Sequence, residues 1–210
     1  QQVRLVGDLG DGFGDAADGA AAGHVAGAGD RQFGTKFRFR LHNRVREGLA
    51  AFVGVHRRLE IKGKAGGVTV VDDYGHHPTE IRETLAAARQ VWKDRVIVVF
   101  QPHRYTRTQK LYEEFLGAFS DADHLIVTDI YAASEKPIEG VSAAGLCDGI
   151  RAHGHRDAVY LSGFDRITDH LLAMAKPSDV IVTQGAGNVW KIGEEFLRRA
   201  GESGRPRGRA

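Results

Sequence analysis

The sequence predicts an α/β domain built on a doubly wound, mainly parallel sheet. Three observations predict it. Short runs rich in Val, Ile and Leu alternate with amphipathic stretches between about residues 66 and 200. Those runs are solidly apolar rather than alternating, so both faces of the sheet must be covered. Polar clusters follow the apolar runs, and in open α/β sheets ligands sit beyond the C-terminal strand ends.

Taken in order, VTVVDDY (68–74) reads as the first buried strand. Pro78 then suits the first turn of a helix, and the stretch to 93 carries apolar residues at 81, 85, 88 and 92. RVIVVFQP (95–102) is a second strand, followed by a single amphipathic helix at 106–119 through Leu111, Phe115, Leu116 and Phe119. HLIVTDIY (124–131) is the third strand, and 142–154 a helix with a glycine stop. AVYLSG (158–163) is the fourth strand, before a helix at 165–176 with Asp165 as its cap. DVIVTQGAG (179–187) is the fifth strand, and 188–199 a closing helix.

Composition excludes some partners. With 29 basic and 27 acidic residues the formal charge is +2, which gives no reason to expect nucleic acid. The longest apolar runs, such as VIVVF (96–100), are strand length and too short to span a bilayer. No signal peptide is read, and the single cysteine, Cys147, fits a reducing cytoplasm. The chain also divides by composition. Residues 1–46 read as an atypical Gly/Ala/Asp-rich leader, poorly structured or out of frame; 47–200 is the folded domain; 201–210 is a disordered tail.

Four clusters carry candidate chemistry. In VVDDYGHHPTE (70–80), Asp72 or Asp73 could accept from ribose hydroxyls or sit near a magnesium ion, and His76 could orient a nucleophile or stabilise charge. The same letters also make a turn and a helix start. In FQPHRYTRT (100–108), Arg104 and Arg107 lie three apart beside His103, where a strand becomes a helix; their forks suit a carboxylate or phosphate. Arg57 and Arg58 precede a short strand, a pattern that alone reads as a solvated face. Tyr131, Glu135 and Lys136 sit on the third strand-end loop, and QGAGN (184–188) is a glycine-rich turn lacking the full dinucleotide spacing. Cys147 reads as packing, and His153, His155 and His170 as surface residues. No metal site is read.

Together GVHRRLE, VDDYGHHPTE, FQPHRYTRT, DIYAASEKPI and QGAGNVWKI resemble the C-terminal domain of the Mur ligases, from about 47 to 199. The strings are most similar to those of the members that join L-alanine to UDP-N-acetylmuramate. The resemblance implies a Rossmann-like domain, cytoplasmic peptidoglycan precursor synthesis, and ATP-dependent ligation through an acyl phosphate. It implies that Arg58 reaches the ATP phosphates, that Asp73 holds the ribose, and that Tyr74 and His76 line the reaction centre. Arg104 and Arg107 would clamp the alanine carboxylate or the acyl phosphate. Mg2+ ligands are expected mainly in a central domain that has no counterpart here: no G-x-x-x-x-G-K-[ST] loop occurs in the 210 residues. The chain therefore reads as a fragment inactive alone. The alternatives are a non-catalytic nucleotide- or anion-binding module, and the C-terminal domain of a related Mur-peptide ligase.

Overall fold

The computed structural model describes residues 56–203. The expectations for the leader, for the domain's start and for the end of the tail lie outside the described residues. Among the described residues one six-stranded sheet runs in the order β1-β2-β6-β3-β4-β5. Its strands are β1 (Glu60–Ala65), β2 (Val68–Asp73), β3 (Val96–Phe100), β4 (His124–Val127), β5 (Ala158–Tyr160) and β6 (Val180–Gln184). The helices are α1 (Pro78–Val91), α2 (Tyr105–Lys110), α3 (Tyr112–Leu116), α4 (Ala143–Ala152), α5 (Phe164–Met174) and α6 (Trp190–Ser203). β1 pairs antiparallel with β2; every other pair is parallel.

The expected parallel, doubly wound sheet is therefore present, with one antiparallel edge strand. The chain leaves β2, steps past one position to β3, moves outward to β5, and returns to fill the gap with β6. Register brings the strand ends level: Asp73 and Phe100 both pair with Gln184, Phe100 with Val127, and Val127 with Tyr160. Alternate side chains point to opposite faces. Val71, Val98, Phe100, Leu125 and Val182 pack under Ile81 and Leu85 of α1, Phe115 of α3 and Leu146 of α4. Val70, Ile97, Val99, Ile126 and Ile181 pack under Ile167 and Leu171 of α5 and Ile192 and Phe196 of α6.

Local chemistry sets the helix starts. Pro78 opens α1 behind a capping box: Thr79 N–H donates to His77 Nδ1 (3.3 Å) and His77 N–H donates to Glu80 (3.1 Å). Asp165 is not the cap of α5. Gly163, at φ 87, takes that place because the turn needs left-handed backbone, and Asp165 falls in the first turn. The single helix expected at 106–119 is bent at Leu111 (φ −108, ψ 19) into α2 and α3. The ladder persists through the bend, since Leu111 N–H donates to Arg107 O and Phe115 N–H to Leu111 O, both at 3.0 Å. α6 runs into the segment read as tail. Arg198 pairs with Glu195 (2.5 Å) and Glu202 (2.9 Å) along its surface, which supports the last turns.

Most apolar runs extended past the strands at their C-terminal ends, because there the chain peels away into loops. Phe100 anchors the level where this happens, with ring centroids 5.6 Å from Phe115 and 5.0 Å from Phe119. Replacing Phe100 by Ala is expected to cost about 3–5 kcal/mol by urea denaturation, with the slope unchanged. A loss below about 1 kcal/mol would show that this aromatic cluster does not hold the strand ends.

Candidate functional site

Adjacent residues of a strand face opposite sides, so Asp72 and Asp73 at the end of β2 point into different layers. Both are buried, at 1% and 2% exposure, so both carboxylates need internal donors. Asp72 accepts from Arg57 Nε (2.7 Å) and from the Thr183 hydroxyl (2.8 Å). Asp73 accepts from Gly75 N–H (2.7 Å), the Thr84 hydroxyl (3.1 Å) and Leu59 N–H (3.0 Å). Two of these donors meet Oδ1 and one meets Oδ2, so three of the roughly four lone-pair sites of the carboxylate are taken. Asp73 therefore has a structural task besides the ribose contact that the resemblance implies.

Arg58 is half-exposed, and its ion pair is a long one to Glu80 (3.7 Å). Its guanidinium therefore has donors to spare for a phosphate. Arg57, which the pattern reading set aside as solvated, is instead mostly enclosed. Besides Asp72 it donates through Nη2 to Gly185 O (2.7 Å) and through Nη1 to Gly187 O (3.4 Å). The usable signal was Asp72: a buried strand-end carboxylate needs internal donors, and the Arg57-Arg58 pair precedes the strand that runs beside it.

Tyr74 leaves β2 with its ring exposed and lies beneath both guanidinia, 5.1 Å from Arg57 and 5.9 Å from Arg58. It begins an aromatic row. Tyr74 meets His76 edge-on at 5.4 Å, His76 lies 5.6 Å from His103, and His103 stacks on Tyr131 at 5.5 Å. A guanidinium only donates, so the 3.0 Å contact from Arg107 Nη1 fixes His103 Nδ1 as an acceptor and places its proton on Nε2. Burial, and then the Arg107 charge, push the His103 pKa down to about 4. A carbonyl only accepts, so the 3.1 Å contact with Tyr74 O places the His76 proton on Nδ1 and leaves Nε2 with its lone pair. Burial lowers the His76 pKa as well, against the Tyr74 carbonyl's upward pull.

Beyond β3, Arg104 adopts left-handed backbone (φ 74), donates its N–H to Tyr131 O (2.8 Å) and accepts the Thr108 hydroxyl (2.8 Å) on its own carbonyl. Its guanidinium is half-exposed, 3.6 Å from Glu135. Glu135 is also held by Thr106, whose N–H (3.0 Å) and hydroxyl (2.7 Å) both donate to it. The Thr106 N–H, more than its hydroxyl, keeps the Glu135 pKa low. Below, Gln101 and Asn188 exchange two bonds of 3.0 Å and tie β3 to the glycine turn. Gly187 must be glycine, since a Cβ there would lie 2.8 Å from the Tyr131 ring.

The structure thus gathers Arg58, Tyr74, His76, Arg104 and Arg107 at one end of the sheet, and adds His103 and Arg57 to them. Cys147 is buried packing, as read. His153 is exposed, but His170 is half-buried with its ring 5.7 Å from His124. Among the described residues no group of three or more His, Cys, Asp or Glu comes together to hold a metal ion, so no step is assigned to Mg2+. Likewise no helix among them is long and apolar enough to cross a membrane.

The unfolded chain takes up a histidine proton near 6.5, whereas folded His103 takes it up near 4. The stability linked to His103, and to His76 in the same direction, is therefore whole above about pH 6.5 and is lost as pH falls toward about 4. Ring-carbon NMR titration should find His103 neutral at pH 5, and Arg107→Met should move its titration upward toward the ordinary value. An unshifted His103 in the native chain would refute the assigned hydrogen bonding.

The comparisons with known proteins agree with this geometry. Residues 57–187 match the family model for the Mur ligase, glutamate ligase domain. The UDP-N-acetylmuramate–L-alanine ligase of Syntrophus aciditrophicus is 64% identical over 158 residues, which cover 75% of this chain and 33% of that protein. The solved UDP-N-acetylmuramate–alanine ligase of Thermotoga maritima superposes at a TM-score of 0.60 with 28% identity, over 75% of this chain and 33% of that one. A murein peptide ligase from Psychrobacter arcticus superposes at 0.59 with 26% identity, over 73% and 32%. The chain thus spans about a third of the length of the curated relatives it matches. With the strand-end arginines and the histidine row in place on this sheet, the chain belongs to the Mur ligase family through its C-terminal glutamate ligase domain.

Proposed function

We propose that this domain forms the amino-acid and phosphate wall of a cytoplasmic ATP-dependent ligase that joins L-alanine to UDP-N-acetylmuramate in peptidoglycan precursor synthesis. The observation that carries the reading is the convergence of three arginines, Arg58 and Arg104 half-exposed and Arg107 anchored on His103 through Nη1, with two neutral histidines beyond the strand ends. Arg104 and Arg107 supply forks for the alanine carboxylate, and Arg58 supplies one for the phosphates of ATP. ATP is a substrate here, and Asp73 would meet its ribose through the carboxylate position that Leu59, Gly75 and Thr84 leave open.

The chemistry follows from the charge states. A muramoyl acyl phosphate is attacked by the alanine nitrogen; the new C–N bond forms, the C–O bond to phosphate breaks, and inorganic phosphate leaves. The attacking amine must lose a proton. His76 Nε2 carries a free lone pair at neutral pH and is the acceptor we assign. His103, kept neutral by its own enclosure and by Arg107, adds no positive charge to repel the ammonium form of alanine on arrival. Arg58 and Arg104 offset the negative charge that develops on the phosphoryl and carboxyl oxygens.

Two related ligase types superpose on the fold almost equally, so the fold does not select the amino acid. The 64% identity to the L-alanine ligase supports alanine. Calorimetry should detect L-alanine binding to the chain, with Arg104→Met and Arg107→Met each weakening it at least about tenfold, or about 1.4 kcal/mol. Equal affinity for L-alanine and for a tripeptide would favour the murein peptide branch. Incubated with UDP-N-acetylmuramate, L-alanine and Mg-ATP, the 210 residues should release no phosphate, since they contain no phosphate loop of the G-x-x-x-x-G-K-[ST] type. Turnover would overturn the assignment of this domain to one wall of the site, and no binding of any of these ligands would leave only the fold.

A further inference from the structure

We propose that Arg57 is a positioning residue. It sets the direction of Arg58 and locks the glycine turn to the end of β2, without contacting the ligand. The inference rests on the reading above that Arg58 meets phosphate.

Arg58 lies between two non-glycine residues in left-handed backbone, Arg57 at φ 57 and Leu59 at φ 44. Left-handed backbone is disfavoured for residues with a Cβ, so the pair persists only where the surroundings hold it. The holding contacts are all present. Leu59 N–H donates to Asp73 (3.0 Å), Tyr74 N–H donates to Arg57 O (2.7 Å), and Arg57 N–H donates to Glu60 (2.8 Å). The Arg57 side chain adds three more. Its Nε meets Asp72 and its two terminal nitrogens meet the carbonyls of Gly185 and Gly187, one on each.

The two neighbouring arginines are therefore used in opposite ways. The Arg57 side chain is 15% exposed, and its fork is committed to β2 and the glycine turn. The Arg58 side chain is 46% exposed and has one long ion pair. Both guanidinia lie over the Tyr74 ring, so the committed Arg57 fork also holds the ring that Arg58 approaches. A lysine keeps the charge but has one nitrogen where the fork has three, so it cannot hold the carboxylate and both carbonyls together.

The test is a titration of the isotopically labelled chain with inorganic tripolyphosphate at low salt, for the native sequence, Arg58→Met, Arg57→Met and Arg57→Lys. Arg58→Met should weaken binding at least about tenfold. Arg57→Met and Arg57→Lys should each weaken it at least about fivefold, with the amide signals of Leu59 and Gly185 displaced and those of β3 and β4 in place. A smaller loss in Arg57→Lys overturns the proposal, because charge alone would then explain the residue. Unchanged affinity in Arg58→Met would sink the phosphate reading itself, and the proposal with it. If Arg57→Met does not fold, the lysine variant, which keeps length and charge, decides the question.

Discussion

Two carboxylates buried side by side at the end of β2 are the constraint on which the rest of this site depends. An enclosed carboxylate without partners costs several kcal/mol, whereas each hydrogen bond to a charged group returns about 1.5–3 kcal/mol. Asp72 and Asp73 face opposite layers, so their donors come from different parts of the chain. Asp72 draws in Arg57 and Thr183, and Asp73 draws in Leu59, Gly75 and Thr84. Satisfying the pair therefore fixes the approach to β1, the turn into α1 and the end of β6 with respect to one another. The pair that reads in the sequence as an acceptor for ribose or a neighbour of magnesium is, in the structure, an internal brace that carries the rim residues.

The brace decides what remains available. With both acids enclosed, the rim presents Arg58, Arg104, the half-buried Arg107, Tyr74 and the two central imidazoles of the aromatic row. Glu80, beside Arg58, is tied back by the N–H groups of His76 and His77. Glu135 is the acid nearest Arg104, and Thr106 holds it in place. A surface of that character attracts phosphate and carboxylate, and its neutral histidines can take a proton from an amine. The histidines stay neutral for a physical reason: each is enclosed among cations, with one ring nitrogen already assigned by its neighbour. The same enclosure is the source of the acid sensitivity expected of the fold.

Much of this was legible in the letters. The solid apolar runs gave the parallel sheet, and the strand-end rule placed DDYGHH and QPHRYTRT on one rim. Pro78 marked a helix start correctly, because a ring-locked φ suits the first turn. Other features depended on contacts that no local pattern carries. Arg57 and Arg58 are the same residue type in adjacent positions, and only the packing separates a committed fork from a free one. The bracing task of Asp73 was hidden because two of its three donors are backbone groups, which leave no mark in the sequence. The bend at Leu111 contains neither Gly nor Pro, and His103 drew notice only as a neighbour of Arg104, although its stacking on Tyr131 makes it the centre of the row. Asp165 was a sound choice of cap by residue type, displaced because a positive φ was needed at Gly163.

The central claim is that Asp73 braces the strand-end loops from within. Amide hydrogen exchange tests it most directly, read at Leu59 and Gly75, two loop positions whose N–H groups donate to Asp73. The account predicts that both exchange slowly in the native chain, and that Asp73→Ala speeds both while the β3 and β6 amides stay protected. Fast exchange at Leu59 and Gly75 in the native chain would contradict it.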